Sequence, residues 1–157
     1  MINNPYEIAP LYAENGCTSV TFHFEAVNDV DNTIKDIRSN GAKVGLAIKP
    51  ATKFADIEKW IEEIDMLLIM TVEPGFGGQS FMHEQMPKVV QARTFIEKLL
   101  RNKPKLQIDG GVSLETIAEA ANAGANCFVA GSAVYKSDNP AAMVSSLRSL
   151  AQKNYPF

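Results

Sequence analysis

Apolar positions along this chain alternate between two periods. Runs rich in β-branched or other apolar residues fall at residues 18–25, 43–49, 66–73, Lys105–Asp109 and 126–131, each bounded by Gly or Pro, and they predict five strands. The segments between them carry helical spacing. Pro5 suits a first turn, with Ile8, Leu11 and Tyr12 on one apolar side and Gly16 placed to end the helix. Val30, Ile34 and Ile37 form the next face and Gly41 stops it; Phe54, Ile57, Ile61 and Ile64 repeat the pattern, as do Val89, Ala92, Phe95, Ile96 and Leu99. Ser113 is the expected N-cap of a helix that stops at Gly124, and Asn139-Pro140 opens a last helix carrying Met143, Val144, Leu147 and Leu150.

One helix followed by five strand-helix units implies right-handed crossovers and a parallel sheet. A complete (β/α)₈ barrel usually takes ~250 residues. The 157 residues here therefore predict an α/β fold of about five of the eight units of a TIM barrel, in a single partial domain over 1–157. Within the strands, Thr21, His23 and Glu25 share one face and Phe22 and Phe24 the other; Gly45, Ala47 and Lys49 likewise oppose Leu46 and Ile48. The greasier face is expected under the helices and the smaller, more polar face inside the barrel. With five strands the sheet cannot close, so that inner face is expected to meet water, the first and last strands to remain edges, and the chain to self-associate rather than stand as a compact monomer.

A net charge of −3 gives no basic field for nucleic acid or anionic lipid, so an anionic ligand must be held by local groups. Apolar runs such as residues 66–72 fall far short of the ~20 residues of a membrane-spanning helix. Met1-Ile2-Asn3-Asn4-Pro5 has neither the basic region nor the apolar core of a signal peptide. Cys17 and Cys127, each entering a strand after a glycine turn, read as small buried hydrophobes, and a cytoplasmic location is expected.

Candidate chemistry gathers at the strand ends. Residues 75–78 hold three glycines in four positions, exposing successive N–H groups as a phosphate-binding main chain does. Gly110-Gly111 and Gly131-Ser132 add two more such loops at the ends of the next two strands, where barrel enzymes commonly hold phosphate. Asp109, directly before Gly110, stands where a carboxylate could ligate a metal and move a proton. His23 and Glu25 could be metal ligands, and a hydrogen-bonded histidine-carboxylate pair is the simpler expectation. Lys49 could meet an anion at the mouth, though an ion pair with Glu25 or Glu73 is the simpler expectation, and His83 is expected to be a solvated loop residue.

The segment from Met70 to Gln79, with Ile108-Asp109-Gly110-Gly111-Val112 and Val129-Ala130-Gly131-Ser132-Ala133, resembles the ribulose-phosphate 3-epimerase family over Met1 to about Leu150. The resemblance implies a barrel of the ribulose-phosphate-binding type, begun N-terminally short at the family's third helix. It implies metal-dependent interconversion of ribulose 5-phosphate and xylulose 5-phosphate through a cis-enediolate, in the pentose phosphate pathway. Gly75, Phe76, Gly77, Gly78, Gly110, Gly111, Gly131 and Ser132 match the family's phosphate-binding segments, and Met1 and Met70 fall where methionines lie beside the sugar. Asp109 matches a residue that is both metal ligand and acid/base group. The family's other three ligands to its one divalent metal, whether Fe²⁺, Zn²⁺, Mn²⁺ or Co²⁺, have no counterpart here. A ketohexose-6-phosphate 3-epimerase and a noncatalytic sugar-phosphate-binding subunit are the alternatives, and a homo-oligomer, dimer or larger, is expected.

Overall fold

A computed structural model describes residues 2, 5 and 7–157, so the reading of Met1 lies outside the described residues. The chain runs α1 (Ala9–Glu14), β1 (Ser19–His23), α2 (Val30–Ser39), β2 (Lys43–Ile48), β3 (Met66–Met70), α3 (Met86–Lys98), β4 (Lys105–Asp109), α4 (Ile117–Asn122), β5 (Cys127–Val129), α5 (Ser132–Tyr135) and α6 (Pro140–Asn154). The five strands form one parallel sheet in the order β1-β2-β3-β4-β5, with β1 and β5 at its edges. The open edges are as the strand count requires.

Leu46, Ile48, Leu67, Ile69, Leu106 and Ile108 point to the helices and join Ile34, Ile37, Val89, Ile96 and Ile117 in the main core. The opposite, concave face follows the register His23↔Ala47, Ala47↔Leu68, Leu68↔Gln107 and Met70↔Asp109. That face is not left wholly to water. Ala47, Leu68, Met70 and Val72 form a second buried cluster, with Met70 2% and Leu68 7% exposed, because neighbouring rows crowd side chains together on a concave surface.

Several elements differ from the sequence reading. The first strand ends at His23, and Phe24–Ala26 is a 3₁₀ turn, so Glu25 leaves the strand face. The third strand ends at Met70 and the fifth spans only Cys127–Val129. The expected helix at residues 54–64 is two 3₁₀ segments, Phe54–Asp56 and Glu58–Glu63, which bury Phe54, Ile57, Ile61 and Ile64 as expected. Thr116, not Ser113, caps α4; Ser113 instead begins the preceding turn, its carbonyl accepting from the N–H of Ile117 at 3.0 Å. Asn139 caps α6 as expected, its Oδ1 accepting from the Ala142 N–H at 3.0 Å. Helix α1 buries Ala9 and Ala13 while Ile8, Leu11 and Tyr12 are exposed, reversing the expected face, since small residues let it approach the sheet closely. Cys17 is exposed, not buried; Cys127 is half-buried, its Sγ 3.1 Å from Gln107 Oε1.

Candidate functional site

The C-terminal ends of β3, β4 and β5 converge on a cavity of about 430 Å³. Its wall contains Met70, Gly75, Phe76, Gly77, Gly78, Asp109, Gly110, Gly111, Gly131 and Ser132, so the glycine loops, Met70 and Asp109 meet in one place, while His23, Glu25, Lys49 and His83 lie outside it. Val72, Glu73, Pro74, Gln79, Val112 and Val129 complete it.

Local bonding explains the convergence. Thr71, fully buried, donates its N–H to the Asp109 carbonyl at 2.8 Å, and its hydroxyl bridges the carbonyls of Asp109 (3.0 Å) and Gly110 (2.7 Å). This staple holds the ends of β3 and β4 together and keeps Met70 beside Asp109. Gln79 Nε2 donates to the carbonyls of Glu73 at 2.7 Å and Phe76 at 2.8 Å, folding the glycine loop back on itself. Phe76 rides outside that loop, 84% exposed. Neither Thr71 nor Gln79 stood out in the sequence. Their signal is only adjacency to the glycine loop, and their partners are set by tertiary structure.

By backbone conformation the cavity glycines fall into two groups, and Gly75 (φ 141°) and Gly78 (φ 77°) belong with Gly110 and Gly111. Gly110 (φ 124°) and Gly111 (φ 64°) adopt backbone that other residues rarely take, and a Cβ would lie 2.5 Å from Val72 Cγ2 and 2.5 Å from the Phe81 nitrogen respectively. These two are required by the fold. Gly77 and Gly131 have neither a positive φ nor any atom within 4 Å of a Cβ, yet both line the cavity. Neither a positive φ nor a neighbouring atom requires glycine at these positions, and what their missing side chains leave is open space in the cavity wall.

The Asp109 carboxyl is half-buried at the cavity wall, and burial raises its pKa above the ordinary aspartate value. Among the described residues its side chain has no hydrogen-bond or ion-pair partner.

His23 and Glu25 form the expected pair, Nδ1 to Oε2 at 3.2 Å. The expected side-chain pairing of Lys49 does not form among the described residues: Glu25 accepts instead from the Lys49 backbone N–H at 2.8 Å, from the Thr52 hydroxyl and from His23. Burial opposes ionisation of Glu25, but those hydrogen bonds prevail and lower its pKa to about 2. His83 is exposed as expected, though it pairs with Glu119 at 2.6 Å. The divalent ion that the resemblance implies does not fit this set. Among the described residues no three His, Cys, Asp or Glu side chains converge, and Asp109 stands without a second ligand.

An open parallel sheet of five strands with helices between them is part of a (β/α)₈ barrel fold. The fold is matched by 3-hexulose-6-phosphate synthase from Salmonella typhimurium, with a TM-score of 0.67 at 19% identity over 99% of this chain and 71% of that one. The model of the ribulose-phosphate 3 epimerase family matches residues 1–135, and the chain belongs to that family. Ribulose-phosphate 3-epimerase of Mycobacterium bovis is 46% identical over 152 residues, covering 94% of this chain and 64% of the relative. That of Candida glabrata is 40% identical over 153 residues, covering 98% and 60%. The chain thus spans under two thirds of the length of these curated relatives. No helix among the described residues is long and apolar enough to cross a membrane.

Proposed function

We propose that this chain supplies the phosphate grip and one acid/base group of a ribulose-phosphate 3-epimerase, acting on a ketopentose 5-phosphate in the cytosol. The observation that carries the reading is the pair Gly77 and Gly131: glycines that the backbone does not need, lining one cavity at facing strand ends. Peptide N–H groups of the 75–78 loop, with those of Ser132 and Ala133 at the unpaired start of α5, would hold the phosphate without a basic side chain. This suits a chain whose net charge is −3.

With the phosphate there, Asp109 faces the sugar carbons. The hydrogen on carbon 3 is acidic because the neighbouring ketone takes up the electron pair as it leaves. A carboxylate whose pKa burial has raised is a better acceptor for that proton than an ordinary aspartate, and it can return it. Inversion calls for return from the opposite face, and the described residues offer one such group, not two. The exposed Cys17 thiol fits a reducing compartment, and the uncovered edges of β1 and β5 favour an oligomer.

The test is a titration of the isotope-labelled chain with ribulose 5-phosphate and with inorganic phosphate. Both are expected to move the amide signals of Gly75, Gly77, Gly78, Gly131 and Ser132. Saturable shifts confined to other residues would refute the grip.

A further inference from the structure

The wall of the main cavity holds two ionisable side chains, Glu73 and Asp109, and both are acidic. A phosphate seated among the glycine loops therefore meets two carboxyl groups and no cation in that wall, in a chain whose net charge is already −3. Peptide N–H groups can fix its oxygens, but each carries only part of a charge. Any full positive charge facing the phosphate comes from beyond the wall.

Next to the main cavity lies an open chamber of about 480 Å³ that shares Gly78, Gln79, Gly111, Val112 and Ser132 with it. Two basic side chains line this chamber, His83 and Lys136. His83 is taken up by Glu119 at 2.6 Å, whereas the Lys136 ammonium has no ion-pair or hydrogen-bond partner among the described residues. Its place follows from the helix that carries it. Lys136 ends α5 in helical conformation, its N–H donating to the Ser132 carbonyl at 3.1 Å. Residues four apart lie one above the other on a helix and their side chains lean towards its N-terminus, so the Lys136 stem runs back over Ser132, which lines both spaces. Lys136 is exposed, and its flexible four-carbon stem can bring the ammonium to a ligand in the grip.

We propose that Lys136 is a phosphate-recognition residue, its ammonium facing the phosphate group across Ser132 and supplying the full positive charge that the main cavity lacks. The inference rests on the phosphate reading of that cavity. The main-chain grip needs no basic side chain to set the position of the phosphate; Lys136 adds affinity for its charge. The contribution is therefore one of charge rather than of shape. An arginine in its place preserves it, a neutral chain of similar length removes it, and salt screens it.

The experiment measures binding of ribulose 5-phosphate and of inorganic phosphate, at low and at high ionic strength, to the parent chain and to Lys136→Met, Lys136→Arg and Lys153→Met. Lys153 stands in the last turn of α6, roughly 20 Å along that helix from its start, and its variant makes the same change in net charge. At low ionic strength Lys136→Met is expected to weaken both ligands roughly fivefold, while Lys136→Arg and Lys153→Met stay within about twofold of the parent; high salt should shrink the difference. On the unaltered chain, the Lys136 Cε signal is expected to move with added inorganic phosphate in step with the glycine-loop amides. Parental affinity in Lys136→Met, an equal loss in Lys153→Met, or a still Lys136 signal while the loop amides move would overturn the inference and leave the phosphate grip standing. Loop amides silent to both ligands would overturn both. The Lys136 signal is read on the parent chain, so a poorly folded variant cannot obscure the result.

Discussion

The two groups of cavity glycines should part company under mutation. Gly111→Ala places a Cβ 2.5 Å from the Phe81 nitrogen and 2.7 Å from its Cα, atoms of main chain that cannot rotate aside, and does so at φ 64°. Left-handed backbone costs a non-glycine residue ~1–2 kcal/mol and overpacking typically ~1–3 kcal/mol, about 2–5 kcal/mol together. For a domain of this size each kcal/mol is worth roughly 2–4 °C, so Tm should fall by roughly 4–20 °C. A Cβ at Gly77 meets nothing within 4 Å and no positive φ, so the effect of Gly77→Val on stability should stay within about 0.5 kcal/mol. Its branched side chain would instead stand in the proposed phosphate grip. Losing one charge-assisted hydrogen bond, about 1.5–3 kcal/mol, weakens binding roughly 10- to 100-fold. Thermal melts and calorimetric titration with ribulose 5-phosphate read both quantities. Parental affinity in Gly77→Val, or a parental Tm in Gly111→Ala, would refute the division.

Asp109→Asn should stabilise the chain while removing its proton exchange: burial penalises the carboxylate most above its raised pKa, so the gain in Tm should be largest at neutral pH and vanish below the ordinary aspartate pKa of 3.8. In an epimerising assembly of this chain, solvent-deuterium exchange at carbon 3 should drop ~10²- to 10⁴-fold, and near-parental exchange would dismiss the role. Glu25→Gln should cost about 1–2 kcal/mol at pH 7 after allowance for solvent screening. Because the folded pKa is lowered from 4.5 to about 2, that stabilisation is whole above pH 4.5 and fades as pH falls towards 2, so denaturation midpoints of parent and variant should converge in acid. Residues 1–157 purified alone should scatter light as an oligomer and show no turnover of ribulose 5-phosphate with added Fe²⁺, Mn²⁺, Co²⁺ or Zn²⁺; a monodisperse, active monomer would contradict both expectations.

The strands and the parallel sheet were legible because β2 and β3 are buried on both faces and therefore read as continuous apolar runs, which alternate with helical patterns in a way few other folds tolerate. Helix type was less legible. Phe54 and Ile57, then Ile61 and Ile64, are two pairs spaced by three residues, and that spacing serves a 3₁₀ turn as well as an α-helix. The face of α1 was misread because Ile8, Leu11 and Tyr12 outweigh Ala9 and Ala13 in hydrophobicity, while close approach to the sheet rewards small residues rather than large ones.

The site divides along the same line between local and distant causes. Glycine-rich loops after strands announce themselves, and the cavity assembles from all of them because a parallel sheet delivers every C-terminal strand end to one rim. Which glycines the fold consumes cannot be read locally, since the atom that forbids a side chain at Gly111 belongs to Phe81, thirty positions earlier in the chain. The same holds for the hydroxyl of Thr71, which acts on carbonyls thirty-eight and thirty-nine residues away, and for Glu25, whose expected ionic partner Lys49 supplies a backbone N–H rather than its ammonium. Sequence pattern thus locates the rim. The distinction between a glycine the fold requires and one it does not emerges only when a missing Cβ is tested against its surroundings, and at Gly77 and Gly131 those surroundings are empty.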